Sequence, residues 1–443
     1  MQFNSIEFVF YFLPVFLLAY YKLPKSWRSS ILLLGSVVFY LLNCGEKYWM
    51  AALLAGLTVL TYGVGRWMAK PNRGWLLPMS LIILGGILVF FKAYDHGKHL
   101  PLGISFYLFQ MTAYLADVYQ NKIQPEKNIL TYSGKILMFP KLLSGPLTDP
   151  AELSRQDAAW EHPAENFHRG LQELILGMAM KVLLADRIAG LWSQTSVIGY
   201  ESISPAFAWL ALVTFCLRLY LDFWGYSLMA IGLGRIIGFE LPKNFDDPYT
   251  ARSVSEFYRR WHVSLGAWFR NYIYIPLGGN RKGNLRTILN LAVVWLFTGL
   301  WHGVGPGYLL WAGILLFFIV NERLWLGKLL KRAGFLAHIY TIFAILFSWI
   351  PFAIGDTMQM VTFTGRLFGQ LGSTLNAMDF WVWGKEYIPM LAAGLLLATG
   401  LPGKLWNKIR EKPLADVFIF VLFWVVVYGI ATMEQSSFFY FQY

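Results

Sequence analysis

Apolar runs bounded by Gly, Pro or charge recur along the whole 443-residue chain, and no other feature restricts its fold as strongly. They fall near 6–21, 29–43, 49–66, 75–91, 100–119, 170–190, 203–224, 287–301, 305–322, 336–355, 386–401 and 414–432. Roughly 20 apolar residues in a helix cross a hydrocarbon core of about 30 Å. Only 14% of the residues are charged and 57% are hydrophobic, whereas a soluble domain carries roughly 25% charge. The expected fold is therefore an all-α polytopic integral membrane protein of about 12 spans. The chain 1–443 reads as one membrane-embedded domain: N-terminal spans in 1–119, a central core in 120–322, and C-terminal spans with an aromatic tail in 323–443. The first run lacks a preceding basic region and a small-residue cleavage site, so it reads as a retained span. Cys44 and Cys216 lie far apart and form neither a disulfide framework nor a metal-ligand pair.

The net charge of +12 sits in short loops between apolar runs, which argues for lipid headgroups and orientation and against nucleic acid. Lys22, Lys25 and Arg28 follow the first run and Arg66, Lys70 and Arg73 the third, so these loops are expected on the cytoplasmic side and both termini outside. The piece 134–148, with Lys135, Pro140, Lys141 and Pro146, is too polar and broken to face lipid and reads as re-entrant or buried in protein. The loop 243–286 holds eight basic residues against three acidic ones. Within it, Ser253 and Glu256 have capping-box spacing, and apolar residues from Val254 to Tyr272 recur at helical intervals. An amphipathic helix in the cytoplasmic interface is expected, with His262 just outside its apolar stripe.

Two histidines are candidates for chemistry. His302 ends an apolar run of about 15 residues, a helix of roughly 22 Å and short of a full crossing, just before the turn Gly303-Val-Gly305-Pro-Gly307. An ionisable residue at membrane depth suggests function by default. Imidazole, with an unperturbed pKa of about 6.5, accepts a hydroxyl proton at neutral pH. By position alone, His302 reads equally as a residue that only holds the turn, and His262 as an ordinary side chain at the edge of an amphipathic stripe. Serine-nucleophile, zinc, Cys-x-x-Cys and phosphate-loop motifs are missing. Gly232-Leu-Gly234-Arg-Ile-Ile-Gly238 fails the dinucleotide spacing and reads as helix-packing glycine.

Several ordered stretches resemble the membrane-bound O-acyltransferases. The strongest are Ser253-Val-Ser-Glu-Phe-Tyr-Arg-Arg-Trp-His262-Val-Ser-Leu, Trp268-Phe-Arg-Asn-Tyr-Ile-Tyr-Ile-Pro-Leu-Gly-Gly-Asn-Arg281 and Thr298-Gly-Leu-Trp-His302-Gly. Supporting ones are Pro101-Leu-Gly-Ile-Ser-Phe, the run through Gln110 to Asp117-Val-Tyr, Phe139-Pro140 with Ser144-Gly-Pro146, and Asp222-Phe-Trp-Gly-Tyr-Ser. The resemblance covers nearly the whole chain and points to the bacterial branch that acts on alginate and teichoic acid. It implies His302 as catalytic base and His262 as a second, cytoplasm-facing histidine. Arg259 and Arg260 would meet donor phosphates, and Trp301, Asp222, Gln110 and Asn271 would contact substrate. Asn271, Leu228 and Tyr258 depart from the family's usual residues.

The same resemblance implies an acyl thioester donor such as acetyl-CoA as co-substrate, no bound cofactor and no metal. The acceptor would be an extracytoplasmic polysaccharide hydroxyl, or a secreted acyltransferase or esterase-like partner, and the setting the bacterial cytoplasmic membrane. The tail Phe438-Phe-Tyr440-Phe-Gln-Tyr443 resembles a peptide that works with D-alanyl transfer proteins, which makes Tyr440 a candidate acyl relay; an aromatic belt is the plainer reading. D-alanyl transfer to teichoic acid is the alternative within enzymes. A transporter with a proton-relay histidine is the alternative outside them, though the two halves show no convincing repeat.

Overall fold

The computed structural model describes residues 1–94, 99–156, 163–370, 378–432 and 438. Among these residues the backbone is helical, with a single isolated antiparallel bridge between Phe245 and Trp261. The first helices are α1 (Leu13–Lys22), α2 (Arg28–Cys44), α3 (Trp49–Met68), α4 (Leu76–Val89) and α5 (Ile104–Tyr119). Short helices α6 (Ile129–Ile136), α7 (Phe139–Leu142) and α8 (Pro150–Arg155) precede α9 (Pro163–Ala179), α10 (Asp186–Ile198) and the 32-residue α11 (Pro205–Ile236). Then come α12 (Val254–Arg260), α13 (Val263–Phe269), α14 (Gly283–His302), α15 (Pro306–Asn321), α16 (Gly327–Leu330) and α17 (Phe335–Ala353). The chain closes with α18 (Thr357–Leu367), α19 (Ile388–Ala398), α20 (Leu401–Ile409) and α21 (Pro413–Thr432).

Eight of the described helices are long and apolar enough to cross a membrane, or nine if the pair Phe380–Ala398 and Leu401–Ile409, bent by 71°, is one span. About 12 were expected, and the difference has a physical origin. The run near 6–21 is short, and α5, at 16 residues, is almost wholly enclosed by protein. The run near 170–190 carries Lys181 and Asp186 into the interior, where Lys181 pairs with Asp186 and Asp222 at 2.7 Å each. In α5 and the run near 170–190 apolar character serves protein packing, whereas the run near 6–21 keeps an exposed apolar face at Phe10, Val15 and Leu18 and falls short in length.

The most enclosed span is α11, with 72% of its apolar window buried. It lies against α9 backbone to backbone: a β-carbon on Gly170 would stand 2.6 Å from the Gly232 carbonyl oxygen, and one on Gly177 2.5 Å from that of Gly225. Glycines seven residues apart on each helix thus meet two turns apart, which is how helices approach closely in an apolar medium. The reading of Gly232 as packing glycine is borne out. The piece 134–148 is also buried in protein as expected, and Lys141 there bonds to Thr148 (2.8 Å) and Gln110 (3.3 Å).

The expected continuous interfacial helix in loop 243–286 is not formed. It breaks at His262, which separates α12 from α13 in the left-handed region at φ 47° and is buried, not beside an exposed stripe. Both pieces pack inward, with Phe257, Trp261, Leu265, Trp268 and Phe269 in the same core as Trp301 and Trp349. An amphipathic pattern requires only an apolar partner, and protein supplies it here in place of lipid.

The start of α12 is fixed by a capping device legible in the sequence and by one that is not. Ser253 Oγ accepts the Glu256 N–H at 3.0 Å, while the Glu256 carboxylate reaches back to the Arg252 N–H at 2.9 Å. The buried Glu322 carboxylate, beyond the end of α15, accepts the N–H groups of Val254 (2.6 Å) and Ser255 (2.9 Å) and the Ser255 hydroxyl (2.5 Å). Glu322→Ala leaves those N–H donors buried without an acceptor. It is expected to cost about 2 kcal/mol and to lower the thermal midpoint of the detergent-solubilised protein, with Glu322→Gln retaining part of the loss; an unchanged midpoint in Glu322→Ala refutes the anchor.

Candidate functional site

His262 owes its place to a clamp on both sides of its unusual backbone. The bridge between Phe245 and Trp261 is closed by Asp246 N–H on the Arg260 carbonyl and Val263 N–H on the Asn244 carbonyl, each at 2.9 Å. A non-glycine residue in the left-handed region costs of order 1–3 kcal/mol and persists where its surroundings over-determine it. The side chain of Asn244 completes the clamp. Its Oδ1 accepts from His262 Nδ1 and Ser264 Oγ, both at 3.0 Å, while its Nδ2 donates to Ser227 Oγ at 3.0 Å. This arrangement selects the Nδ1–H tautomer of His262 and leaves Nε2 as the basic nitrogen. Burial pushes the His262 pKa down to about 3, so the ring is neutral at physiological pH.

His302 is the last residue of α14. The helix has 20 residues, about 30 Å of rise, so the expected short span is corrected: its first turn is polar, and counting apolar residues from Thr287 missed it. What isolates His302 is aromatic enclosure and not a shortened helix. Its ring centroid lies 4.5 Å from that of Trp301, 5.0 Å from Trp311 and 5.0 Å from Phe352, and the residue is 6% exposed. The position directly after it has no room for a side chain, since a β-carbon on Gly303 would stand 2.6 Å from the Tyr308 ring.

Both histidines line one cavity of about 240 Å³. Its wall on α14 runs from Leu291 to His302, about 16 Å along the helix axis. The exposed Arg270 and the half-buried Tyr274 line it as well, and the wall around His302 contains Trp311 and Trp349. None of the lining residues is Asp or Glu. Such a space suits an extended, largely apolar arm and offers two imidazoles for proton transfer.

The remaining sequence candidates divide. Trp301 does not line the cavity but packs between the histidines, 6.3 Å from His262 and 4.5 Å from His302, with the Lys92 ammonium on its carbonyl and 5.4 Å from its ring centroid. Gln110 is one step removed: it accepts from Thr148, and the adjacent Leu147 N–H bonds to Ser264 beside Asn244. Arg260 is tied to Glu256 (2.5 Å) and Thr250 (2.7 Å), whereas Arg259 is exposed. Asp222 sits in the Lys181 ion cluster and Asn271 in the wide turn Arg270–Tyr274, neither on the cavity wall. Tyr440 lies outside the described residues; Phe438 is described and is buried, its ring 4.8 Å from that of Tyr226.

Sequence reasoning missed Asn244, Arg270, Trp311 and Trp349. Arg270 follows α13, which the break at His262 sets off from α12, so one helical period drawn through both pieces does not place it on the wall. Trp311 and Trp349 carry no local signal of a site, and only the packing of α14, α15 and α17 brings them to the cavity that holds His302.

Comparison with known proteins agrees with this geometry. Residues 67–354 match the membrane-bound O-acyltransferase (MBOAT) family. The chain is 30% identical to a probable alginate O-acetylase of Pseudomonas putida, covering 100% of both sequences. It is 33% identical to a peptidoglycan O-acetyltransferase of Helicobacter pylori over 70% of this chain and 68% of that one. It is 23% identical to a teichoic acid D-alanyltransferase of Streptococcus thermophilus over 71% and 81%. The chain is a multi-span membrane enzyme and belongs to the membrane-bound O-acyltransferase family.

Proposed function

We propose that this enzyme takes an acetyl group from a cytoplasmic thioester, with acetyl-CoA as the donor, and delivers it to a hydroxyl of an extracytoplasmic polysaccharide or of a secreted partner that passes it on. Its setting is the bacterial cytoplasmic membrane. The observation that carries this reading is that His262 and His302 line a single cavity that reaches the basic loop through Arg270. The thioester arm enters beside Arg270, whose guanidinium meets donor phosphate, and its carbonyl comes to rest near His302. The acceptor hydroxyl loses its proton to His302 as its oxygen bonds to the carbonyl carbon. Collapse of the tetrahedral intermediate breaks the C–S bond, and the departing thiolate takes the proton from the imidazolium. The products are an ester and a thiol, and His302 returns to neutral.

Acetyl transfer is favoured over D-alanyl transfer by the cavity's composition. A D-alanyl thioester carries an ammonium group, and the wall holds an arginine and two histidines but no carboxylate to receive it. Two of the three relatives named above are acetyl-transferring by name.

His302→Ala is expected to lower acetyl turnover by at least about 10²-fold with normal expression and membrane insertion, measured as acetylated product in membranes supplied with labelled acetyl-CoA. His262→Ala is expected to lower it less, and a reversed order assigns the base to His262. Near-normal turnover in both variants defeats the mechanism. For orientation, cysteines replacing the exposed Asn280 and Gln370, in a protein lacking Cys44 and Cys216, report sidedness. An impermeant thiol reagent added to intact cells should label position 370 and spare 280; the opposite pattern inverts the topology.

A further inference from the structure

We infer that Trp311, backed by Trp349 and Phe352, restricts the transferred acyl group to acetyl size. The inference rests on the acyl-transfer reading of the same cavity and adds to it the residue that measures the acyl chain. Near His302 the cavity wall includes Trp311 and Trp349, while Phe352 and Tyr308 pack behind it and do not line it. Phe352 stands 5.0 Å from the His302 ring, 5.2 Å from Trp311 and 5.1 Å from Trp349, and Tyr308 stands 6.3 Å from His302. Trp311 and Trp349 stack on each other at 5.7 Å and 23° and are 2% and 1% exposed. On this side of His302 the wall is therefore made of large rings already in contact with one another.

Reaction geometry fixes where the acyl carbon must lie. A hydroxyl oxygen within hydrogen-bond reach of His302 and about 3 Å from the carbonyl carbon puts that carbon within about 6 Å of the base. The Trp311 ring centroid lies 5.0 Å from that of His302, so the ring occupies the region into which a longer acyl chain would extend. A close-packed interior does not yield to an added methylene without displaced side chains. Each extra methylene in a fitted pocket changes kcat/KM by about 10–200-fold.

The test compares acetyl-CoA with butyryl-CoA as donors for the full-length protein in membranes. The parent is expected to prefer acetyl-CoA by at least about 100-fold in kcat/KM. Trp311→Ala is expected to raise the butyryl-to-acetyl ratio at least about tenfold, and Trp311→Leu, which keeps an apolar side chain in the core, carries the test if the alanine variant fails to fold. Leu291→Ala serves as the comparison. Leu291 lines the same cavity three turns of α14, about 16 Å, from His302, so its loss should alter both donors alike. A ratio unchanged within about twofold in a Trp311 variant that still turns over acetyl-CoA through His302 overturns the inference and leaves acyl transfer standing. So does a parent that uses butyryl-CoA as readily as acetyl-CoA. A parent that transfers no acetyl group overturns the reading of the cavity and the inference with it.

Discussion

Asn244 carries an interaction on which the arrangement of the site depends. One side-chain carbonyl oxygen accepts from the imidazole of His262 and from both the hydroxyl and the N–H of Ser264. Its amide nitrogen holds Ser227 on α11. The most enclosed span is thereby joined to the break between α12 and α13 through one neutral residue. In an interior this apolar, a neutral donor and acceptor satisfied on every side costs far less than an ion pair stripped of water. The left-handed backbone of His262 is held by these bonds and by the short bridge to Phe245, so the imidazole has one orientation and one tautomer.

Charge is handled differently elsewhere in the same interior. Lys181 is neutralised by two aspartates on neighbouring segments, and Glu322 by a helix start, a hydroxyl and the Tyr340 phenol. Lys141 is hydrogen-bonded, among the described residues, to the neutral oxygens of Gln110 and Thr148. These are three distinct ways of holding a formal charge away from lipid, and each ties together elements distant in sequence. The cavity itself keeps formal charge to Arg270, while its two titratable rings are held neutral or enclosed in aromatics.

The parts of this fold that the sequence discloses are those decided over a few neighbouring residues. Apolar length marks the spans α2, α3, α4, α11, α14, α15, α17 and α21, Ser253 marks the start of α12, and the polar, proline-broken piece 134–148 marks itself as sheltered. His262 and His302 are recognisable because ionisable rings are rare in such surroundings. The interfacial helix failed because periodicity states that a face is apolar and not what covers it. Asn244, Trp311 and Trp349 were invisible for a related reason. Asparagine in a polar loop and tryptophan near a span end each have common local explanations, and only the approach of α11, α15 and α17 gives them another. Asp222 and Arg260 are conspicuous charges in the sequence, and the fold pairs both with neighbours away from the cavity wall.

The glycine contacts between α9 and α11 also decide where the protein can breathe. Helices that meet through interlocked side chains can part by rotating those side chains, a motion of many small steps. Helices that meet backbone on backbone, as Gly170 and Gly177 do on Gly232 and Gly225, have no such intermediate positions and move as one body. Neither helix contributes a residue to the cavity wall, which is built from α12 to α15, α17 and the wide turn after α13. The α9–α11 pair is thus a frame on which the site leans through Ser227 and Asn244, and not a surface that substrate touches.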